Sequence, residues 1–259
     1  MSLIDDLFVR TRAENRAALV GYLPAGFPDK ETSIAAIEAM VEGGVDLVEV
    51  GLPYSDPVMD GPVIQAAAEQ ALAGGTRTTD VFDVVRASSA TGAPTVVMTY
   101  WNPVERYGVG RFASDLAAAG GAGLITPDLI PDEAEEWMKA SVDHGLDRIF
   151  LVAPSSTDAR IGFTVEAASG FIYATAVMGV TGARETTSSA APSLVERVRA
   201  QSDKPVGVGL GVSNGRQAAE VAAYADAVIV GSALVRALGD GGIDAVKALA
   251  EELRAGVQR

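Results

Sequence analysis

Residues 46–62 read Asp46-Leu47-Val48-Glu49-Val50-Gly51-Leu52-Pro53-Tyr54-Ser55-Asp56-Pro57-Val58-Met59-Asp60-Gly61-Pro62. The opening run is short, apolar and β-branched, which is the composition of a buried strand. Two prolines, Pro53 and Pro57, then break any regular element, and Gly61-Pro62 opens an Ala-rich segment with helical spacing that extends to Ala73. The stretch therefore predicts strand, long loop and helix in that order.

The same order recurs along the chain. Strands are expected at Ala18 to Leu23, Leu47 to Gly51, Thr95 to Tyr100, Gly123 to Thr126, Arg148 to Val152, Phe171 to Ala174, Pro205 to Gly209 and Ala227 to Val230. Helices are expected at Lys30 to Glu42, Pro62 to Ala73 with Thr79 to Ser89, Arg111 to Ala119, Asp132 to Asp143, Asp158 to Ala168, Ser193 to Ala200, Ser213 to Ala223 and Asp240 to Arg254. Eight such units in 259 residues predict an α/β fold, a (β/α)8 TIM barrel. An open doubly wound sheet is the alternative, and closure suits eight units in this length better. An extra amphipathic helix, Leu3 to Arg12, is expected to cover the barrel floor. No linker or change of composition interrupts the alternation, so residues 1–259 are read as one domain.

Bulk properties exclude several function classes. A net charge of −14 opposes binding to nucleic acid or to an anionic membrane. With no Cys there is neither a disulfide framework nor a thiolate metal site, which suits a reducing cytoplasm. The N-terminal stretch carries Asp5, Asp6, Arg10 and Arg12 and has no secretory apolar core, and no apolar run is fit to span a bilayer. A soluble cytoplasmic protein is expected.

Active sites of such barrels lie at the C-terminal ends of the strands. With Val48 and Val50 facing outward under the helices, strand alternation points Glu49 into the barrel mouth. An isolated buried carboxylate raises its pKa, which suits a group that both gives and takes a proton near neutrality. The inert alternatives are an ion pair with an Arg or bonds to loop amides. Asp60 shares the following loop with Glu49 and can face the same substrate, although a loop Asp before Gly-Pro is also a common helix cap.

Three glycine-rich turns follow late strands: Gly179-Val-Thr-Gly182, Gly207-Val-Gly209-Leu-Gly211 and Val230-Gly231-Ser232. Glycine lets backbone amides approach an anion, and a helix beginning at Ser232 would aim its N-terminal dipole at it. A phosphate-bearing substrate is expected there; the competing reading is tight turns alone.

Missing residues narrow the chemistry. The four Lys, at 30, 139, 204 and 247, avoid the C-terminal ends of the expected strands, which disfavours a Schiff-base aldolase. The sole His, His144, sits at a helix end, which disfavours a His-ligated metal lyase, and no metal is expected. Strand ends one and five, Gly21-Tyr-Leu-Pro-Ala-Gly26 and Leu151-Val-Ala-Pro-Ser155, lack the Asp pair of phosphoribosyl isomerase barrels. Carboxylate acid–base chemistry remains.

Glu49 with residues 51–62, then Met98-Thr-Tyr-Trp-Asn-Pro103, Pro127-Asp-Leu-Ile-Pro131 and Gly179-Val-Thr-Gly182, closely resembles the tryptophan synthase alpha chain family over nearly the whole sequence. The resemblance implies retro-aldol cleavage of indole-3-glycerol phosphate to indole and glyceraldehyde 3-phosphate. It implies that Glu49 protonates the indole ring carbon and deprotonates the glycerol hydroxyl. Asp60 is implied to accept the indole N–H and stabilise the charge of the indolenine. Tyr173 matches a substrate-contacting tyrosine, Gly182, Gly211 and Ser232 match the phosphate cradle with Gly209 and Gly231 beside them, and Tyr22 and Met98 match the indole pocket wall, although both also suit a barrel core. Leu210 stands where many members carry Phe, and Val177-Met178 where an Arg is often found.

The resemblance further implies docking, through loops Pro53 to Pro57 and Tyr100 to Tyr107 with exposed Trp101 and Tyr107, on a beta chain that carries pyridoxal phosphate. The assembly would be an αββα heterotetramer, with no cofactor on this chain. A stand-alone indole-3-glycerol phosphate lyase and a phosphate- or flavin-binding barrel are the alternatives.

Overall fold

In the computed structural model, which describes residues 1–175, 190–209 and 211–259, each apolar run becomes a parallel strand. The strands are β1 (Ala18–Pro24), β2 (Leu47–Gly51), β3 (Thr95–Met98), β4 (Gly123–Ile125), β5 (Asp147–Ile149), β6 (Leu151–Val152), β7 (Ile172–Thr175), β8 (Val206–Gly209) and β9 (Ala227–Val230). Their order is β5-β4-β3-β2-β1-β9-β8-β7-β6. The two terminal members of that order, β5 and β6, are separated by Phe150 alone, so they are one barrel strand that pairs with β4 in its first half and β7 in its second. The sheet thus closes on itself as an eight-membered barrel.

The helices are α1 (Leu3–Ala13), α2 (Lys30–Glu42), α3 (Pro62–Ala73), α4 (Thr78–Ala90), α5 (Trp101–Tyr107), α6 (Val109–Ala118), α7 (Glu135–His144), α8 (Asp158–Ala167), α9 (Ala190–Arg199), α10 (Gly215–Ala222) and α11 (Ser232–Gly256). Local chemistry sets several starts. Ser2 caps α1 with Asp5 completing a reciprocal capping box, and Asp29, Thr157 and Asn214 cap α2, α8 and α10. α11 is two helices merged across Gly242, whose φ of 70° is non-helical. The expected final helix and the helix start at Ser232 are therefore both present.

Helix α5 lies where the sequence predicts a loop. Pro103 resembles a breaker, but it is the third residue of the helix, where the backbone N–H has no intrahelical partner to lose. Its first N–H, that of Trp101, donates to the Asp128 carboxylate at 2.9 Å. Trp101 and Tyr107, expected to be exposed, are partly buried against the core, and Tyr107 stacks edge-on to Phe82 and Phe112.

Strand alternation divides the apolar residues in two. Leu19, Val48, Val50, Val97, Val206, Val208 and Val228 face the helices, whereas Ala18, Val20, Leu47, Val96, Ile149, Phe171, Ala227 and Ile229 fill the barrel. α1 seals the lower end: Ile4, Leu7 and Phe8 are buried in the inner cluster, with the Phe8 and Phe171 rings 5.9 Å apart. Arg16, just after α1, forms a bidentate pair with Asp46 at 2.6 and 2.9 Å, and Asp46 also accepts the Leu19 N–H. This pair fastens the helix to the starts of β1 and β2.

Because the floor is filled by α1, Phe8→Ala is expected to leave a cavity and cost roughly 3–5 kcal/mol of stability. Urea unfolding measures this, and a cost near zero would show that α1 does not seal the barrel.

Candidate active site

The inward positions above the filled layers are Tyr22 on β1, Glu49 and Gly51 on β2, Met98 on β3, Tyr173 on β7 and Gly209 on β8, each two residues beyond an inward core or strand position. Register sets Tyr22 beside Glu49, Gly51 beside Met98, and Tyr173 beside Gly207. Two glycines make room for the phenols: a Cβ on Gly51 would stand 2.3 Å from the Tyr22 hydroxyl oxygen, and one on Gly209 would stand 2.5 Å from that of Tyr173. Gly209 thus has a steric duty in the mouth as well as a place in a glycine-rich turn.

Glu49 is 1% exposed, and its Oε1 has no hydrogen-bond partner. Among the described residues no cation offsets the loss of water, and burial pushes its pKa up to about 8. The inert alternatives considered for this residue, an ion pair or a set of loop amides, are absent from Oε1. Such a carboxyl is protonated near neutrality and poised to exchange its proton.

Asp60 ends the loop between β2 and α3. The N-cap of α3 is Gly61, without a side-chain bond, so the Asp60 carboxylate is not spent as a helix cap. Its backbone carbonyl accepts from Gln65 at 2.7 Å, holding the loop end to the helix. Burial raises its pKa, and a hydrogen bond from Tyr100 partly offsets the rise. Tyr22 and Tyr173 both lie well above the usual phenol range, first through burial and then through the charges of Asp60 and Glu49. Both acids therefore act on the same two phenols, which brings the four groups together at one mouth.

Met98 is partly buried and packs against both the inner and outer apolar clusters. On the other side, β8 and β9 are paired up to Gly209 beside Ile229, and Gly211 and Gly231-Ser232 follow the ends of these two strands. Gly211 has a φ of 69°, a conformation that favours glycine. The two following helices differ: the start of α10 is satisfied by Asn214 and Ser213–Gln217 bonds, whereas α11 starts at Gly231 with no side-chain cap. A helix start without a side-chain cap leaves its first N–H groups available to an outside acceptor. Gly182 lies outside the described residues, as do Val177, Met178 and Leu210.

Sequence reasoning missed Tyr100, Asp128 and Gly51. The first two lie within motifs already quoted, but their partners, Asp60 with Met59 and the start of α5, are distant in sequence. Lys30, Lys139, Lys204 and Lys247 all lie on helices or before a strand, and exposed His144 ends α7. Among the described residues no His, Cys, Asp and Glu group is arranged to hold a metal ion, and no helix is long and apolar enough to cross a membrane.

These features define a (β/α)8-barrel enzyme with a buried and a partly buried carboxyl, Glu49 and Asp60, at its mouth. Residues 8–258 match the family model described as tryptophan synthase alpha chain. The tryptophan synthase alpha chain of Nocardia farcinica is 66% identical over 257 residues, covering 99% of this chain and 96% of that one. A tryptophan synthase structure from Mycobacterium tuberculosis superposes with a TM-score of 0.96 at 62% identity, covering 100% of this chain and 99% of the other. The tryptophan synthase subunit alpha structure from Legionella pneumophila gives 0.88 at 34% identity, covering 99% and 98%. The chain belongs to the tryptophan synthase alpha chain family, and it is a lyase of indole-3-glycerol phosphate.

The raised pKa of Glu49 carries a stability consequence. Unfolded glutamate titrates near ~4.3, so between there and about 8 the folded protein holds a proton that the unfolded chain has released. Stability is fullest below that range and falls as pH rises through it, by at most about 1.4 kcal/mol per pH unit. Glu49→Gln is expected to raise the melting temperature more at pH 8 than at pH 5. Equal shifts at both pH values would mean that Glu49 titrates normally.

Proposed function

We propose that Glu49 and Asp60 are the two working groups of the lyase reaction, and the orphaned, proton-holding carboxyl of Glu49 inside the barrel mouth carries the reading. Protonated Glu49 gives its proton to the indole ring carbon that bears the glycerol chain. Positive charge then appears on the ring nitrogen, and ionised Asp60 accepts that N–H and stabilises the charge where it develops. The Glu49 carboxylate next removes the proton of the glycerol hydroxyl beside the ring. The C–C bond breaks, its electron pair returns to the ring, and indole and glyceraldehyde 3-phosphate are left with Glu49 reprotonated. One carboxyl thus completes a closed proton cycle, for which a pKa near the working pH is suited.

Tyr173 bounds the substrate beside the acids, and Tyr22 and Met98 wall the indole. The phosphate is held by Gly211, Gly231 and Ser232 with Gly209 beside them, and Gly182 is assigned to the same cradle. The uncapped start of α11 supports this placement over the capped start of α10. No cofactor is assigned to this chain, and none of the proposed steps requires one.

The partner is proposed to be a tryptophan synthase beta chain with its pyridoxal phosphate, in an αββα heterotetramer in the cytoplasm. Its docking face is formed by Pro53 to Pro57 and α5. A cleft of about 430 Å³ between these segments, lined by Pro53, Tyr54, Asn102, Pro103, Arg106 and Tyr107, supports that surface, and neither Glu49 nor Asp60 lines it. Residues 1–259 are taken as one catalytic domain; the Ala17 N–H donates to the Val257 carbonyl at 3.1 Å, tying the two ends of the chain.

Incubation with indole-3-glycerol phosphate, with and without a beta chain, is expected to release indole. Glu49→Gln is expected to lose at least roughly 10²-fold in kcat, and full retention would end the assignment. The kcat/KM profile is expected to be bell-shaped. Activity falls on the acid side as Asp60 protonates, and on the alkaline side as Glu49 loses its starting proton near about 8. Ser232→Asp, which sets a carboxylate at the anion seat, is expected to raise KM at least about tenfold with little change in kcat; an unchanged KM would move the phosphate elsewhere.

A further inference from the structure

Tyr100 is the first residue beyond β3 that ties three separate segments together. It is the N-cap of α5 and is 5% exposed. Its hydroxyl accepts the Met59 backbone N–H at 3.0 Å, one residue before Asp60, and lies near enough to the Asp60 carboxyl to hold its pKa down. Its ring lies 5.4 Å from that of Tyr54, in the same loop six residues before Asp60. The loop from Pro53 to Asp60 is therefore gripped at both ends by one side chain, through ring packing near its start and through the hydroxyl at its end.

We propose that Tyr100 is the positioning residue of Asp60: its hydroxyl holds the Met59 N–H and with it the loop end that aims the Asp60 carboxylate at the indole nitrogen, and its ring transmits the placement of Tyr54 to that carboxylate. This rests on the role given to Asp60 above. The geometry has a clear consequence. Tyr54 lies in the cleft between the Pro53–Pro57 loop and α5, so anything that seats there moves the ring on which Tyr100 rests, and Asp60 moves with it. A phenol oxygen that accepts from Met59 keeps its own proton to turn toward the Asp60 carboxylate.

The groups facing Asp60 are Tyr100 from the β3–α5 junction, Tyr22 from β1 and Tyr173 from β7, with Glu49 sharing the two barrel phenols. Of these, Tyr100 is the one whose hydrogen bond holds the Asp60 pKa down against burial. Removing it lets the pKa rise, so ionised Asp60 is lost at a higher pH.

The test is the kcat/KM pH profile of Tyr100→Phe with indole-3-glycerol phosphate, measured beside Asp60→Asn and Tyr54→Leu. For Tyr100→Phe the expected result is a kcat reduced roughly 10- to 100-fold, the range of a hydrogen bond to a charged group. KM should stay within about twofold, because the developing charge exists in the transition state and not in the bound substrate. The acid limb should move to higher pH while the alkaline limb stays in place. Tyr54→Leu keeps the hydroxyl and is expected to give a smaller displacement in the same direction, which tests the proposal even where Tyr100→Phe folds poorly. An acid limb unmoved in both variants overturns the proposal, whatever happens to kcat. If Asp60→Asn keeps full activity, the role of Asp60 itself has failed and the position of Tyr100 is not the cause.

Discussion

A carboxyl group with an unpartnered oxygen, enclosed in a closed sheet, is the costly interaction around which this molecule is organised. An ionised Glu49 in that place has no cation among the described residues to offset its lost water, so the protein holds it as the neutral acid. Keeping it dry requires the barrel to be filled beneath it. Helix α1 does this from below with Ile4, Leu7 and Phe8, and the Arg16–Asp46 pair fastens that helix to the starts of β1 and β2. The cost at the mouth is set against the apolar burial of the floor.

Above that floor the mouth is shaped by a reciprocity between small and large residues. Gly51 and Gly209 leave the space that the hydroxyls of Tyr22 and Tyr173 occupy, so each phenol reaches inward over a neighbouring strand. The apolar wall and the two acids then face one volume, and the paired strands β8 and β9 bring their glycine-rich turns to its edge. In the proposed mechanism this separation matters: charge that develops on the ring meets Asp60, while the fixed charge of the phosphate is held by backbone dipoles away from both carboxylates. An acidic protein can hold an anion in this way without a basic surface.

Asp60 differs from Glu49 in how it is held. Glu49 is placed by a strand and cannot turn away without disturbing the sheet, whereas Asp60 stands at the end of a loop. Its position depends on Tyr100, Met59 and Gln65. In the proposed mechanism the proton carrier thus stands on a strand and the charge stabiliser on a loop, so the second can be tuned without disturbing the first.

The sequence by itself determined the alternation of eight strands with helices, the inward face of Glu49 and the glycine-rich turns, because period-two and helical patterns and turn residues are local properties. It also carried the family resemblance, which the full-length match upholds. Helix α5 escaped local reading, since Pro103 looks like a breaker until its place in the first turn is known. Only the tertiary structure decided that Trp101 and Tyr107 turn partly inward, that Gly61 and not Asp60 caps α3, and that Asp128 and Tyr100 serve segments remote from them. These are contacts between residues far apart in the chain, and they arise when the sheet closes and brings its loops to one face. A linear pattern records which way a side chain points, but its partner is set by closure.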